Sequence, residues 1–239
     1  MDYDIAHYGE RWASIYDEEV GPQPEVVEFL AARAGRGPAL EFAVGTGRFA
    51  VPLIERGVRV DGIDASPAMV ERLLARRPEA RVEIGDMAAV EMGRRYRLVY
   101  LVATSLFLVL DQDDQVRCFE NAARHLTARG RFVVNTFVPD MTRFTDGQAL
   151  RTADVAHGGV SIEAARHDIG AQRIDVQYVS ISAEGDIALH PIHLRYAWPS
   201  ELDLMAKLAG LELVERYGGW NGEPFTGTTP EHVSVYRRA

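Results

Sequence analysis

The sequence has little with which to staple itself by sulfur, cross a membrane or grip a polyanion. Its 239 residues hold one cysteine, Cys118, so no internal disulfide can form and the chain fits a reducing compartment. The surroundings of that cysteine, VRCFENAARHL, read as helix, which suits a packed thiol better than a nucleophile. No run comes near the roughly 18–20 apolar residues of a membrane span. The opening MDYDIAHYGERW carries acids and no apolar segment, so no secretory signal is expected, and a cytoplasmic protein is. Basic residues are outnumbered 26 to 35, a net charge of −9, and the cationic stripe that a nucleic-acid partner requires is missing. No membrane and no nucleic acid are therefore expected among the partners.

What is present is an ordinary globular composition, 47% hydrophobic and 26% charged, long enough for one elaborated domain. Residues 1–36 are expected to form a helical cap, with PQPEVVEFLAARA as an amphipathic helix entered through proline. Residues 39–137 then alternate. PALEFAV, VRVDGID, ARVEIGD, YRLVYLVAT and GRFVVNTF read as strands. RFAVPLIERG, SPAMVERLLARR and DQDDQVRCFENAARHLT read as helices. Ser66 is the expected N-cap of the second of these, with Pro67 in its first turn. The third is expected to bury Val116, Phe119, Ala123 and Leu126, with His125 acting favourably at its C-terminus. Strands alternating with helices imply a parallel sheet covered on both faces. Residues 139–197 change texture: GVSIEAARHDI, QRIDVQYVSIS and ALHPIHLRYAW read as three antiparallel strands inserted after the fifth parallel one. Residues 198–239 close the domain with a helix and two strands.

Ligands of an open parallel sheet bind beyond the carboxyl ends of its strands. There the sequence places Glu41 within strand one and Gly45, Thr46 and Gly47 after it. Asp64 ends strand two, Asp86 and Met87 end strand three, Thr104 and Ser105 end strand four, and Asn135 lies in strand five. Glycines let a ligand approach bare backbone. An acid about 20 residues beyond the first glycine suits ribose hydroxyls, and a second acid beside methionine suits an adenine edge and face. GTGRFA also satisfies the dinucleotide pattern G-x-G-x-x-A. Against that reading, Glu41 would add negative charge near a pyrophosphate, and no second mononucleotide-binding half follows. No Gly-Lys-Ser/Thr follows the glycines, which excludes a P-loop.

LEFAVGTGR, VDGIDASPAMV and VEIGDM, with YRLVYLVATSLFLVL and the closing YGGWNGEPFT…HVSVYRR, resemble the successive motifs of class I S-adenosylmethionine-dependent methyltransferases. The branch is that of small-molecule enzymes with an antiparallel lid, including amino-sugar N-methyltransferases of natural-product pathways. The resemblance implies an α/β Rossmann-like fold: a seven-stranded, mostly parallel sheet with an antiparallel last strand, plus the inserted lid. It implies S-adenosyl-L-methionine as cofactor and S-adenosyl-L-homocysteine as product. Glu41, Ala43, Gly45 and Gly47 would serve the amino-acid end, Asp64 the ribose, and Met69, Asp86 and Met87 the adenine. Thr104 and Tyr16 complete the expected cofactor set. Ala43 departs from the family, which commonly has glycine there; alanine costs little at negative φ and more at positive φ.

The expected acceptor is a small molecule, a nitrogen or oxygen of a secondary metabolite. Tyr8 and Tyr16 are candidates for a cover over the cofactor, with Tyr8 and His193 as candidate catalytic groups. Asn135 and Arg195 are candidates for holding the acceptor, and no metal is expected. A homodimer through the lid sheet is a further expectation. Two alternatives stand beside the enzyme: a catalytically silent protein of the same fold, and a nicotinamide-dependent oxidoreductase.

Overall fold

The computed structural model describes residues 5–13, 15–156 and 159–239, with the side chains of residues 18, 19 and 156 outside the description. Residues 1–4, 14, 157 and 158 of the expected cap and lid lie outside the described residues.

The cap consists of α1 (His7–Trp12), α2 (Tyr16–Glu19) and α3 (Pro24–Ala34). The core follows as β1 (Ala39–Phe42), α4 (Ala50–Glu55), β2 (Val60–Asp64), α5 (Pro67–Arg76), β3 (Arg81–Ile84), β4 (Tyr96–Leu101), α6 (Gln112–His125) and β5 (Leu126–Phe137). The insert is β6 (Gln148–Ala156), β7 (Gly159–Asp168), β8 (Arg173–Ile181) and β9 (Ile187–Arg195). The chain closes with α7 (Pro199–Leu208), β10 (Leu211–Tyr217) and β11 (Glu231–Arg238). The main sheet has the order β10-β11-β5-β4-β1-β2-β3, and the insert forms its own sheet in the order β6-β7-β8-β9. β11 pairs antiparallel with both β5 and β10, so it alone runs against the rest. The chain thus has the seven-stranded, Rossmann-like architecture that the sequence implied.

β1 and β2 are buried along their whole lengths, as strands covered on both faces should be. Ser66 caps α5 by accepting from the Met69 amide at 3.2 Å. Asp111 caps α6 by accepting from Asp113 and Asp114.

Three local expectations change. The lid has four strands, not three. β6 was hidden in the sequence because every side chain described along it except the half-buried Ala149 is exposed, leaving no buried face to alternate. α6 buries Gln115, Cys118, Phe119, Asn121, Ala122 and His125, a face rotated from the expected one, with Val116 and Ala123 only half-buried. His125 is not a cation at a helix end. Its Nε2 accepts the Met92 amide at 2.9 Å, which leaves Nδ1 to donate to the Asn121 carbonyl at 2.8 Å, and burial lowers its pKa.

Candidate functional site

One cavity of about 300 Å³ opens above the carboxyl ends of β1, β2, β3 and β4. Its wall includes Ala43 and Gly45 after β1, Asp64, Ala65, Ser66 and Met69 around the end of β2, and Gly85, Asp86 and Met87 after β3. Tyr8 and Tyr16 of the cap line it as well.

Asp64 organises the floor. One carboxylate oxygen accepts the Gly45 amide at 2.7 Å and the other accepts the Ser66 amide at 2.9 Å. One side chain thereby fixes both the glycine turn and the start of α5. Each carboxylate oxygen has two acceptor sites, so lone pairs remain for a ligand's hydroxyls. Gly45, at φ +55, would have nothing within 4 Å of an added Cβ; the space over that backbone is open to a ligand. Gly47 has a different duty. A Cβ there would meet Leu73 Cδ1 at 2.3 Å, so its contact is with α5 and not with the cavity.

Glu41 lies beneath this floor, 2% exposed, accepting the Tyr100 hydroxyl at 2.8 Å. Burial pushes its pKa well above the carboxylate range; the Tyr100 bond opposes that and the nearby Asp64 charge adds to it. Asp64 is also raised, by burial first, against the pull of its backbone bonds. Two acids crowded together in low dielectric welcome a cation and resist another anion. A sulfonium and an ammonium would relieve that crowding, whereas a pyrophosphate would add to it.

Ala43 adopts φ +55, the left-handed conformation in which its Cβ is unfavourable. Ala103 and Thr104 at the end of β4 are left-handed too, at φ +54 and +65. Three such non-glycine residues concentrate backbone strain at the carboxyl ends of β1 and β4. The bend at Thr104 puts Ser105 on the cavity wall.

Asp86 accepts the Ala88 amide at 2.8 Å, and the loop behind it is held by a residue the sequence reading missed. Asn121, fully buried on α6, donates to the Met87 and Val90 carbonyls at 2.8 and 2.9 Å. The cap is tied to the floor by equally unannounced contacts. Thr46 donates to Asp17 at 2.6 Å, and Glu10 accepts from the Ser66 hydroxyl at 2.7 Å and the Ala68 amide at 3.2 Å. These pairs join positions far apart in sequence, so no local pattern reveals them.

Three candidates, Asn135 and Arg195 for holding the acceptor and His193 for catalysis, do not line this cavity. Asn135 is a brace: its Oδ1 accepts the Ala103 amide at 3.2 Å and its Nδ2 donates to Glu231 at 2.9 Å. Arg195 is buried between Gln115, at 2.5 Å, and Glu201, at 2.9 Å, where it anchors the lid to α6 and α7. Gln172 is a further partner at 3.3 Å, and Arg195 does not line the cavity. His193 pairs with Asp175 at 2.8 Å on a separate groove of the lid, away from the cavity wall. It cannot serve as the base there in this arrangement. Among the described residues no group of three or more His, Cys, Asp or Glu could hold a metal. Nor does any helix among them run long and apolar enough to cross a membrane.

The phenols of the cover are neutral. Burial raises the Tyr8 pKa, and the neighbouring Tyr16 and Tyr178 raise it further. Burial likewise raises Tyr16, against the Arg48 guanidinium beside it.

Residues 39–130 match the family described as Methyltransferase domain. The structure of the CcbJ methyltransferase from Streptomyces caelestis is 38% identical and superposes with a TM-score of 0.93 over 99% of this chain and 100% of that one. A cypemycin N-terminal methyltransferase from Streptomyces sp is 27% identical over 83% of this chain and 82% of its own. A dTDP-4-amino-2,3,4,6-tetradeoxy-D-glucose N,N-dimethyltransferase from Saccharopolyspora spinosa is 31% identical over 66% of this chain and 60% of its own. With the fold, the acid-floored cavity and these likenesses in agreement, the chain belongs to the class I S-adenosylmethionine-dependent methyltransferases.

Proposed function

We propose that the protein methylates a nitrogen of a small secondary metabolite by in-line displacement. One observation carries the choice of nitrogen: the described cavity wall holds no histidine, cysteine or lysine, and its two phenols are pushed toward the neutral form. A hydroxyl acceptor usually needs a base to take its proton, whereas an amine needs only to arrive neutral. Asp111 and Asp114, on the same wall, are occupied at the start of α6: Asp111 caps the helix and Asp114 pairs with Arg117.

The cofactor, when bound, supplies an electrophilic methyl group on a sulfonium. Asp64, Gly45, Met69, Asp86 and Met87 are the residues that would hold it. Tyr8 and Tyr16 exclude water and offer hydroxyls to orient the acceptor, and holding the reactants at attack distance can supply up to roughly 7–11 kcal/mol of barrier lowering. Names of relatives support the same reading, since the cypemycin enzyme is an N-terminal methyltransferase and the sugar enzyme an N,N-dimethyltransferase.

The test is turnover on a panel of amino sugars and peptide N-termini, each beside its hydroxyl analogue, followed by S-adenosylhomocysteine release. Methylation of amines and not of their hydroxyl analogues is expected. Methylation of the hydroxyl analogues would overturn the nitrogen assignment. Cofactor binding without turnover on any acceptor would favour a catalytically silent protein.

A further inference from the structure

The inner face of the lid meets the cap along α1. Ile174 and Val176 of that face are buried, and Tyr178, two residues on, shares it, with His190 opposite on β9. Trp12 of α1 stands against this pair. Its ring lies 5.1 Å from that of His190 and 6.1 Å, edge-on, from that of Tyr178. It also stacks at 5.6 Å on Tyr8, which lines the cofactor cavity. Both sides of this seam are fixed from behind. A Cβ on Gly9 would meet that of Ser66 at 2.4 Å, so α1 is pressed onto the start of α5. The Tyr178 hydroxyl donates at 3.1 Å to Glu163, which Arg143 and Arg151 hold in turn. One donor in the seam has no mate. Among the described residues, Trp12 Nε1 is shut away from solvent and makes no hydrogen bond. Buried indole N–H groups ordinarily find a partner. Two arginine Nε atoms share the condition, but their guanidiniums bond elsewhere, Arg48 to the Gly21 carbonyl and Arg77 to Glu55. The indole has a single donor and no other polar atom.

We infer that Trp12 determines acceptor specificity: its N–H donates to an uncharged oxygen that the acceptor carries near the reacting nitrogen. The inference rests on nitrogen being the methylated atom. A donor-only group requires an acceptor atom, so neither an ammonium nor a hydrocarbon satisfies it. The aromatic surroundings disfavour a charged group, which leaves a hydroxyl or a carbonyl oxygen. Tyr8 borders both places, so an acceptor whose amine enters the cofactor cavity sets its neighbouring oxygen toward Trp12. The shared chemistry is an N–C–C–O unit, found in vicinal amino alcohols and in α-amino carbonyl compounds. A site built to bond such an oxygen rejects the analogue without it, because the buried donor is then left unpaired. The rigid support behind Tyr178 and α1 suits that duty, since recognition needs its groups held in place.

The test is kcat/KM of the wild type and of Trp12→Phe on paired amines. One pair is an amino sugar and its analogue lacking the hydroxyl beside the amine-bearing carbon. The other is a peptide N-terminus and its analogue with the first carbonyl replaced by methylene. A thermal shift with S-adenosylhomocysteine checks that each variant is folded. The wild type should prefer the oxygen-bearing member of the pair it accepts by about tenfold or more. Trp12→Phe should lose about tenfold on that member and turn over the other as the wild type does. The pair that responds tells hydroxyl from carbonyl. Should Trp12→Phe fail to fold, Trp12→benzothienylalanine, which keeps the bicyclic shape and replaces N–H by sulfur, decides on the same readout. A preference that persists in the folded variant overturns the inference alone. So does an equal loss on both members, which is the mark of packing. Methylation of hydroxyl acceptors only, or of none, overturns the nitrogen reading and this inference with it.

Discussion

The cofactor half and the lid are held together by opposite means. Residues 39–137 supply five strands of the main sheet, buried on both faces at its centre, and its functional acids act on backbone: Asp64 on Gly45 and Ser66, Asp86 on Ala88. The lid is a sheet covered on one face, stitched by side chains to side chains. Glu163, 2% exposed, takes Arg143 at 3.0 Å, Arg151 at 2.5 Å and the Tyr178 hydroxyl at 3.1 Å. An acid that fixes backbone shapes one ligand-binding turn and leaves little room for change. A network of side chains can be rewritten while the strands persist. The cofactor half is thus specified by its turn chemistry, and the lid by the side-chain network around Glu163.

Breaking each half separately sharpens the contrast. The largest effect is expected at the floor. Asp64→Ala removes two charge-assisted hydrogen bonds, together about 3 kcal/mol, and S-adenosylhomocysteine affinity should fall about 100-fold by titration calorimetry. Retained affinity would mean that the turn holds itself. In the lid, Glu163→Ala leaves two guanidiniums without their shared carboxylate. Both are partly exposed, so the loss of stability should be about 2 kcal/mol in denaturant unfolding, with cofactor affinity unchanged. A parallel loss of affinity would show that the halves are one unit.

Ala43→Gly should relieve the left-handed alanine and stabilise by about 1 kcal/mol, raising Tm by about 2–4 °C. A fall in Tm would indicate that the methyl's packing outweighs its strain. The smallest effect concerns protons. Glu41 has a folded pKa above its unfolded one, so the stability it contributes is present below the unfolded carboxylate value, near 4.5, and is lost as pH rises through the folded value. A cation placed near it favours ionisation, so cofactor binding should release a proton, seen as buffer-dependent enthalpy and absent in Glu41→Gln.

Much of the floor was legible because its chemistry follows local rules. Pro67 after Ser66 announces a helix start, and the 19-residue interval from Gly45 to Asp64 follows from one helix and the strand after it. The left-handed φ of Ala43 was the one question there that sequence posed and only structure answered. Asn121 and Gln115 went unread, and Arg195 was expected at the acceptor, for a shared reason. A buried polar side chain looks like a surface one until its partners, many positions distant, come into view. His193 failed for another reason: alternation divides a strand's faces but does not say which one meets the cavity. Strand β6 was lost because an exposed edge strand shows no buried periodicity.

The central claim is that the acid-floored cavity takes a sulfonium-type cofactor and not a dinucleotide. A thermal melt with S-adenosylhomocysteine, beside one with NAD, tests it most directly. At about 100 times its dissociation constant a ligand stabilises by about 2.7 kcal/mol, which for a chain of this length is a rise of about 5–10 °C. The rise is expected with S-adenosylhomocysteine and not with NAD. A rise with NAD alone would contradict the account.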